Sequence, residues 1–282
     1  MRIGEYNPQY LEEQGVAILT MNHVGSTVGQ DTGRDAQYMA DNWGVPTFAI
    51  NRPGTGLTLP RAATRDRLAT SYAAEFEPIA TDLAELFDER EIKDIVVVSR
   101  SAAVVSSLAI ATSGILPIRA IYGAEGVGWS NMSVEQGKMT YKSYMTDQAR
   151  LLDNDEHSDQ PRLVHPEGTG LGIVASVGRI ASIPPALIID QYNSQKVWAS
   201  DLATQYLKIL HDTATSAKDA GGPAVYLDFA EYSLTEIAVI NDAVRRANPE
   251  ADIQVVPNTV HASFDKRPFF AGRAQRAVDH IV

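Results

Sequence analysis

Residues 94–111 read DIVVVSRSAAVVSSLAIA, and this stretch contains the pattern that decides the fold. The β-branched run at 95–98 is typical of a buried strand, and a small-residue stretch at helical spacing follows it. The sequence therefore predicts a strand that turns sharply into a helix. A serine at such a turn is an activated nucleophile in the motif Gly-x-Ser-x-Gly. Ser101 has that position here, with Ser99 and Ala103 where the motif has glycines.

The alternation of short apolar runs with helical patterns recurs along the chain. Strands are predicted at 15–23, 46–52, 94–99, 119–125, 224–231 and 253–258. Helices are predicted around 34–43 and over 67–90, 233–247 and 269–282. Unbroken apolar strands that alternate with helices indicate a mostly parallel sheet covered on both faces. Right-handed crossovers then give a doubly wound α/β fold.

The alternation stops between residues 126 and 219. We expect an α/β core formed by residues 1–125 and 220–282, with residues 126–219 inserted as a helical lid. The insertion carries aromatic and methionine side chains that suit an apolar acyl or ring-bearing substrate, although packing of the lid on the core explains them equally well. They are Trp129, Met132, Met139, Tyr141, Tyr144, Met145 and Trp198.

Composition limits the classes of partner and chemistry. The 282 residues carry a formal net charge of −11, which argues against nucleic-acid partners. There is no cysteine, and this excludes disulfides, thiolate zinc sites and a cysteine nucleophile. No apolar run reaches the roughly 20 residues of a membrane helix, so we expect no membrane span and a cytoplasmic location by default. Neither a metal nor another cofactor is predicted, and the oligomeric state is left open.

Two further signals lie downstream of Ser101. The segment VVPNTVHASF, residues 255–264, places His261 just after the last predicted strand, where a neutral imidazole can act as general base towards a serine. The segment YLDFAEYSL offers two carboxylates, Asp228 and Glu231, at the end of the strand before. The order serine, acid, histidine is that of one particular catalytic triad. Either carboxylate can orient the imidazole.

Five segments in this order resemble the motifs of the α/β-hydrolase fold superfamily. NHVGST (22–27) resembles its His-Gly oxyanion loop, and INRPGTGLT (50–58) resembles its Asp-x-Arg-Gly-x-Gly-x-Ser turn. VSRSAA (98–103) matches the nucleophile turn, FAEYSL (229–234) the acid loop and VHASF (260–264) the histidine turn. Together they cover most of the chain outside the insertion.

The resemblance implies a role for individual residues. Ser101 is then the nucleophile, His261 the base and Glu231 the acid, with Asp228 as the alternative acid. The oxyanion hole is formed by the backbone N–H of Ala102 and that of Val24 or Gly25.

The implied function is cleavage of an ester, thioester or related acyl bond of a small, apolar substrate through an acyl-enzyme on Ser101. An acyltransferase that uses the same acyl-enzyme is an alternative. A hydrolase-like protein that binds a ligand without turnover is another, because both glycines of the motif are replaced.

Other motifs lack the context that they need. Residues 170–175 match Gly-x-Gly-x-x-Ala, and Asp190 follows 20 residues after the first glycine, but no strand precedes it as a dinucleotide site requires. Tyr192 and Lys196 have the spacing of a dehydrogenase pair, also without its context. His157 and His165 flank an acidic loop without the paired spacing of metal ligands.

Overall fold

The structure is a computed structural model of the whole chain. The residues that it describes are 3–7, 15–21, 31–51, 72–101, 103–125, 222–232, 245, 249–260, 263–264 and 266–281. The proposed lid and the predicted helix 233–247, apart from its residue 245, lie outside these residues.

Seven strands form a single sheet in the order β1-β3-β2-β4-β5-β6-β7. Only the β1–β3 pair is antiparallel, and the other five pairs are parallel. The strands are β1 (Ile3–Tyr6), β2 (Val16–Met21), β3 (Thr47–Ile50), β4 (Asp94–Arg100), β5 (Ile118–Ala124), β6 (Ala224–Tyr232) and β7 (Asp252–Val260). Because parallel strands point the same way, the carboxyl ends of β2 to β7 lie at one edge of the sheet.

Helices cover both faces of this sheet. They are α1 (Asp31–Trp43), α2 (Tyr72–Glu89), α3 (Ala103–Thr112) and α4 (Arg267–Val278). One core cluster joins side chains of α2 and α3 to the sheet, and the other joins α1 and α4 to its opposite face. Among the described helices, none combines the length and the hydropathy that a membrane span requires.

Strand β4 lies in the middle of the sheet and contributes to both clusters. Ile95 and Val97 belong to the α2–α3 cluster, whereas Val96 and Val98 belong to the α1–α4 cluster. All four side chains are fully buried. This two-sided burial explains why the sequence here is a continuous β-branched run rather than an alternating one.

The predicted mostly parallel α/β sheet is confirmed, and each of the six predicted strands corresponds to an observed one. The N-terminal strand β1 was not predicted. It has only four residues, at the edge of the sheet, and it is held by antiparallel pairing with β3. Such a short and partly exposed segment has no apolar run from which a strand can be inferred.

A buried carboxylate ties β6 to its neighbours. Asp228 is fully buried, and its Oδ2 atom accepts a hydrogen bond from the Tyr122 hydroxyl at 3.0 Å. Arg273 of α4 contacts both carboxylate oxygens, at 2.7 and 3.1 Å, and Arg276 contacts Oδ1. Burial, and then the charge of Asp228, raises the pKa of Tyr122 well above its usual value, so the hydroxyl stays protonated as a donor.

Helix α3 approaches the sheet closely at Gly123 of β5. A Cβ atom at this position would lie 2.7 Å from Cγ1 of Val104 and 3.0 Å from Cδ2 of Leu227. Since both neighbours are buried core side chains, neither has free space to move into. The absence of a side chain at Gly123 therefore sets how near the start of α3 lies to the strands.

We expect Gly123→Ala to destabilise the fold by about 1–3 kcal/mol through overpacking between α3 and β6. The matched control is Gly272→Ala on the exposed side of α4, where a Cβ atom meets nothing within 4 Å. That control should be neutral or stabilising by up to about 1 kcal/mol, because alanine favours helix. Urea unfolding of both variants measures the difference. Equal stability of the two would contradict the close approach at Gly123.

Candidate active site

The backbone of Ser101 has the strained conformation that a nucleophile turn requires. Its φ angle is +55°, in the left-handed region that residues other than glycine rarely adopt. The Ser101 N–H donates to the carbonyl of Ala124 at 2.8 Å, and its own carbonyl accepts the Val104 N–H at 3.0 Å. Strand β4 thus passes into α3 within three residues, with the serine at the turn. Conformations of this kind cost about 1–3 kcal/mol and cluster at functional sites.

The residues that replace the two glycines are packed without exposed surface. Ser99 and Ala103 each have 0% exposure. Oγ of Ser99 lies 3.4 Å from the carbonyl oxygen of Tyr122 on β5, which is at the limit of a hydrogen bond. The turn therefore accommodates one small side chain on each side of Ser101, and its geometry does not depend on glycine at these positions.

The two candidate acids have different environments. Strand β6 continues to Tyr232, so Asp228 lies within the strand, paired with Ala124 of β5 and Gln254 of β7. Its carboxylate is occupied by the tyrosine and the two arginines described above. Glu231, by contrast, is exposed at the carboxyl end of β6.

Glu231 is anchored beside the segment that carries His261. Its Oε2 atom accepts the backbone N–H of Asn258 at 2.8 Å. Asn258 lies three residues before His261 and has a left-handed φ of +54°. Asparagine tolerates this conformation better than most residues. The contact leaves the second carboxylate oxygen of Glu231 with no partner among the described residues.

A third carboxylate at this edge of the sheet was not singled out in the sequence. Glu125, directly after β5, is 1% exposed and has a φ of +52°. Its N–H donates to the carbonyl of Asp228 at 2.8 Å, and its Oε1 atom accepts the N–H of Ala230. The side chain thus extends the β5–β6 ladder beyond its last backbone pair and fixes the strand just before Glu231. In the sequence, only the position of this charged residue directly after the apolar run of β5 could have pointed to Glu125 as part of the site.

The remaining predicted site residues lie outside the described part of the chain. These are His261, Ala102, Val24 and Gly25, together with the dinucleotide-like segment, Tyr192, Lys196, His157 and His165. Among the residues that are described, no group of three or more His, Asp or Glu side chains has the geometry to hold a metal ion.

No family model and no curated protein sequence matches this chain. Solved structures do. A carboxylesterase structure from Nitrososphaera gargenis is 12% identical, with a TM-score of 0.57, and the match covers 99% of this chain and 96% of that one. Est816, described as an N-acyl homoserine lactone degrading enzyme, is 15% identical, with a TM-score of 0.60 and coverage of 98% and 95%.

A lipase-esterase related protein from Clostridium acetobutylicum is 12% identical, with a TM-score of 0.60 and coverage of 100% and 99%. At these identities the likeness concerns the fold rather than the activity. The likeness agrees with the mostly parallel sheet and the helices on both of its faces. On this evidence the chain has the α/β-hydrolase fold.

Proposed function

We propose that this protein is a serine hydrolase that cleaves an ester, thioester or related acyl bond through an acyl-enzyme on Ser101. The observation that carries the proposal is the left-handed backbone of Ser101 between β4 and α3. Glycine adopts a positive φ at such a turn without strain, whereas serine at the same place presents a hydroxyl to a bound substrate.

The reaction follows from the groups at this edge. The Ser101 hydroxyl is a weak nucleophile until a base removes its proton, and His261 is the next residue in the sequence after β7. Oγ of Ser101 attacks the acyl carbonyl while His261 takes the proton. The N–H of Ala102 and one from Val24 or Gly25 stabilise the oxyanion. His261 then protonates the leaving group as its bond to the acyl carbon breaks. Water attacks the acyl-enzyme while His261 takes a proton from it, and His261 returns the proton to Ser101 as the acid product leaves.

The acid in this proposal is Glu231. A triad acid needs an oxygen that can accept the imidazole N–H, because it fixes the tautomer and stabilises the imidazolium. Glu231 has such an oxygen and is hydrogen-bonded to Asn258, close to His261 in the chain. Asp228 is saturated by Tyr122, Arg273 and Arg276, so its use as the acid would require breaking ion pairs.

The substrate in this proposal is a small acyl compound. Similar structures include a carboxylesterase and an N-acyl homoserine lactone degrading enzyme, and both names refer to acyl compounds. We also propose that residues 126–219 form the lid, since they separate β5 from β6 in the sequence and carry the aromatic and methionine side chains named above. These side chains favour an apolar acyl group.

Hydrolysis of p-nitrophenyl esters from acetate to octanoate tests the proposal. We expect Ser101→Ala and His261→Ala each to lower kcat by several orders of magnitude, up to about 10⁶-fold, with less effect on KM. Activity should rise from about pH 6 to about pH 7 as the imidazole loses its proton. Ser106→Ala, a buried serine of α3, is the control and should retain activity. An esterase whose Ser101→Ala variant is fully active would contradict the mechanism, and a protein inert to all the esters would favour a ligand-binding role.

The acid assignment predicts opposite effects of two isosteric substitutions. Glu231→Gln should lower kcat by up to about 10⁴-fold and leave the melting temperature nearly unchanged, because the side chain is exposed. Asp228→Asn should destabilise the fold by about 3–5 kcal/mol, because Arg273 and Arg276 lose the buried carboxylate that both contact, and only Arg276 keeps another among the described residues, that of Asp252. Its kcat per folded molecule should stay near that of the wild type.

Thermal unfolding and steady-state kinetics at a temperature where both variants are folded separate these effects. A large loss of kcat in Asp228→Asn together with an active Glu231→Gln variant would transfer the acid role to Asp228.

A further inference from the structure

Arg100, the residue before Ser101, has a buried guanidinium with partners on three segments of the chain. Its side chain is 4% exposed. Nη2 lies 3.0 Å from Oδ2 of Asp35 on α1, and Nη1 donates to the backbone carbonyl of Phe264 at 2.6 Å. The guanidinium carbon also lies 5.4 Å from the centre of the Phe270 ring.

These partners belong to segments that flank the proposed catalytic groups. Phe264 lies three residues after His261. Asp35 lies in the first turns of α1, the helix that follows the segment with the proposed oxyanion residues. Arg267, at the start of α4, contacts the other Asp35 oxygen at 2.7 Å, so two arginines share this buried carboxylate. We call Arg100, Asp35 and Arg267 the arginine clamp.

The arginine clamp depends on the planar guanidinium group of Arg100, which directs N–H donors to two partners at once. One side chain holds a carboxylate with one nitrogen and a backbone carbonyl with another, in a fixed plane. A lysine ammonium at the end of a flexible stem cannot impose both directions. Arg100 therefore defines the spacing between the end of β4 and the chain after His261, rather than simply neutralising Asp35.

We propose that Arg100 is a positioning residue, which holds the histidine-bearing segment in register with Ser101 through Phe264 and Asp35. This inference rests on the proposed function. Proton transfer from Ser101 to His261 needs hydrogen-bond reach, and a misplacement of about 1 Å can cost about 10²-fold in rate. Arg100 and Asp35 are buried, so they act on the position of the histidine-bearing segment rather than on the substrate.

The test compares Arg100→Met and Arg100→Lys with Arg273→Met. The Arg273 control removes a partly buried arginine of α4 that is also ion-paired to a buried carboxylate, that of Asp228. Arg273 contacts neither Phe264 nor Asp35 among the described residues. Hydrogen–deuterium exchange of peptides that span residues 259–266 reports on the histidine segment without requiring activity. Steady-state kinetics on the best p-nitrophenyl ester give kcat and KM separately.

We expect exchange in residues 259–266 to become at least about tenfold faster in both Arg100 variants and to stay at the wild-type rate in Arg273→Met. We expect kcat to fall about 10- to 100-fold in the Arg100 variants, with KM within about twofold. If Arg100→Met does not fold, Arg100→Lys and Asp35→Asn are compared with Arg273→Met instead.

Unchanged exchange in folded Arg100 variants would overturn the clamp, and so would equal acceleration in Arg273→Met. A wild-type protein without esterase activity would overturn the proposed function instead. The exchange comparison would still show whether Arg100 holds residues 259–266 in place. The two failures are therefore distinguishable.

Discussion

The left-handed backbone of Ser101 is the constraint on which the rest of the structure depends. Strand β4 is buried on both faces, and α3 packs against the same sheet. Because only Ser101 and Ala102 separate β4 from α3, the chain turns sharply between them. That path requires a positive φ at the turn, small side chains at Ser99 and Ala103, and no side chain at Gly123. The energy of packing α3 on the sheet offsets the strain of about 1–3 kcal/mol at Ser101.

Burial separates the structural carboxylates from the proposed catalytic one. Asp35 and Asp228 are buried and matched by arginines, and buried Glu125 accepts a backbone N–H. A buried carboxylate without such partners would cost several kcal/mol, which explains why each of the three is paired. Glu231 is exposed and has one anchored oxygen, which leaves its other oxygen able to accept the imidazole N–H in the proposed triad.

The parallel sheet could be predicted from sequence because its strands are long apolar runs between helical stretches. Strand β1 could not, since its four residues depend on pairing with β3. The residues alone left both Asp228 and Glu231 open as the acid because the end of β6 was uncertain, and only the family resemblance favoured Glu231. The strand pairing and ion pairs of Asp228 depend on contacts distant in the sequence. The partners of Arg100 are equally invisible in the sequence, since Phe264 lies 164 residues away.

The proposed mechanism requires that Ser101 is an activated serine. Reaction of the native protein with a fluorophosphonate, followed by peptide mapping of the adduct by mass spectrometry, tests this requirement. We expect one adduct per chain, on Ser101, that forms quickly near neutral pH and is lost on prior unfolding. Modification of a different serine, or no adduct on the folded protein, would contradict it.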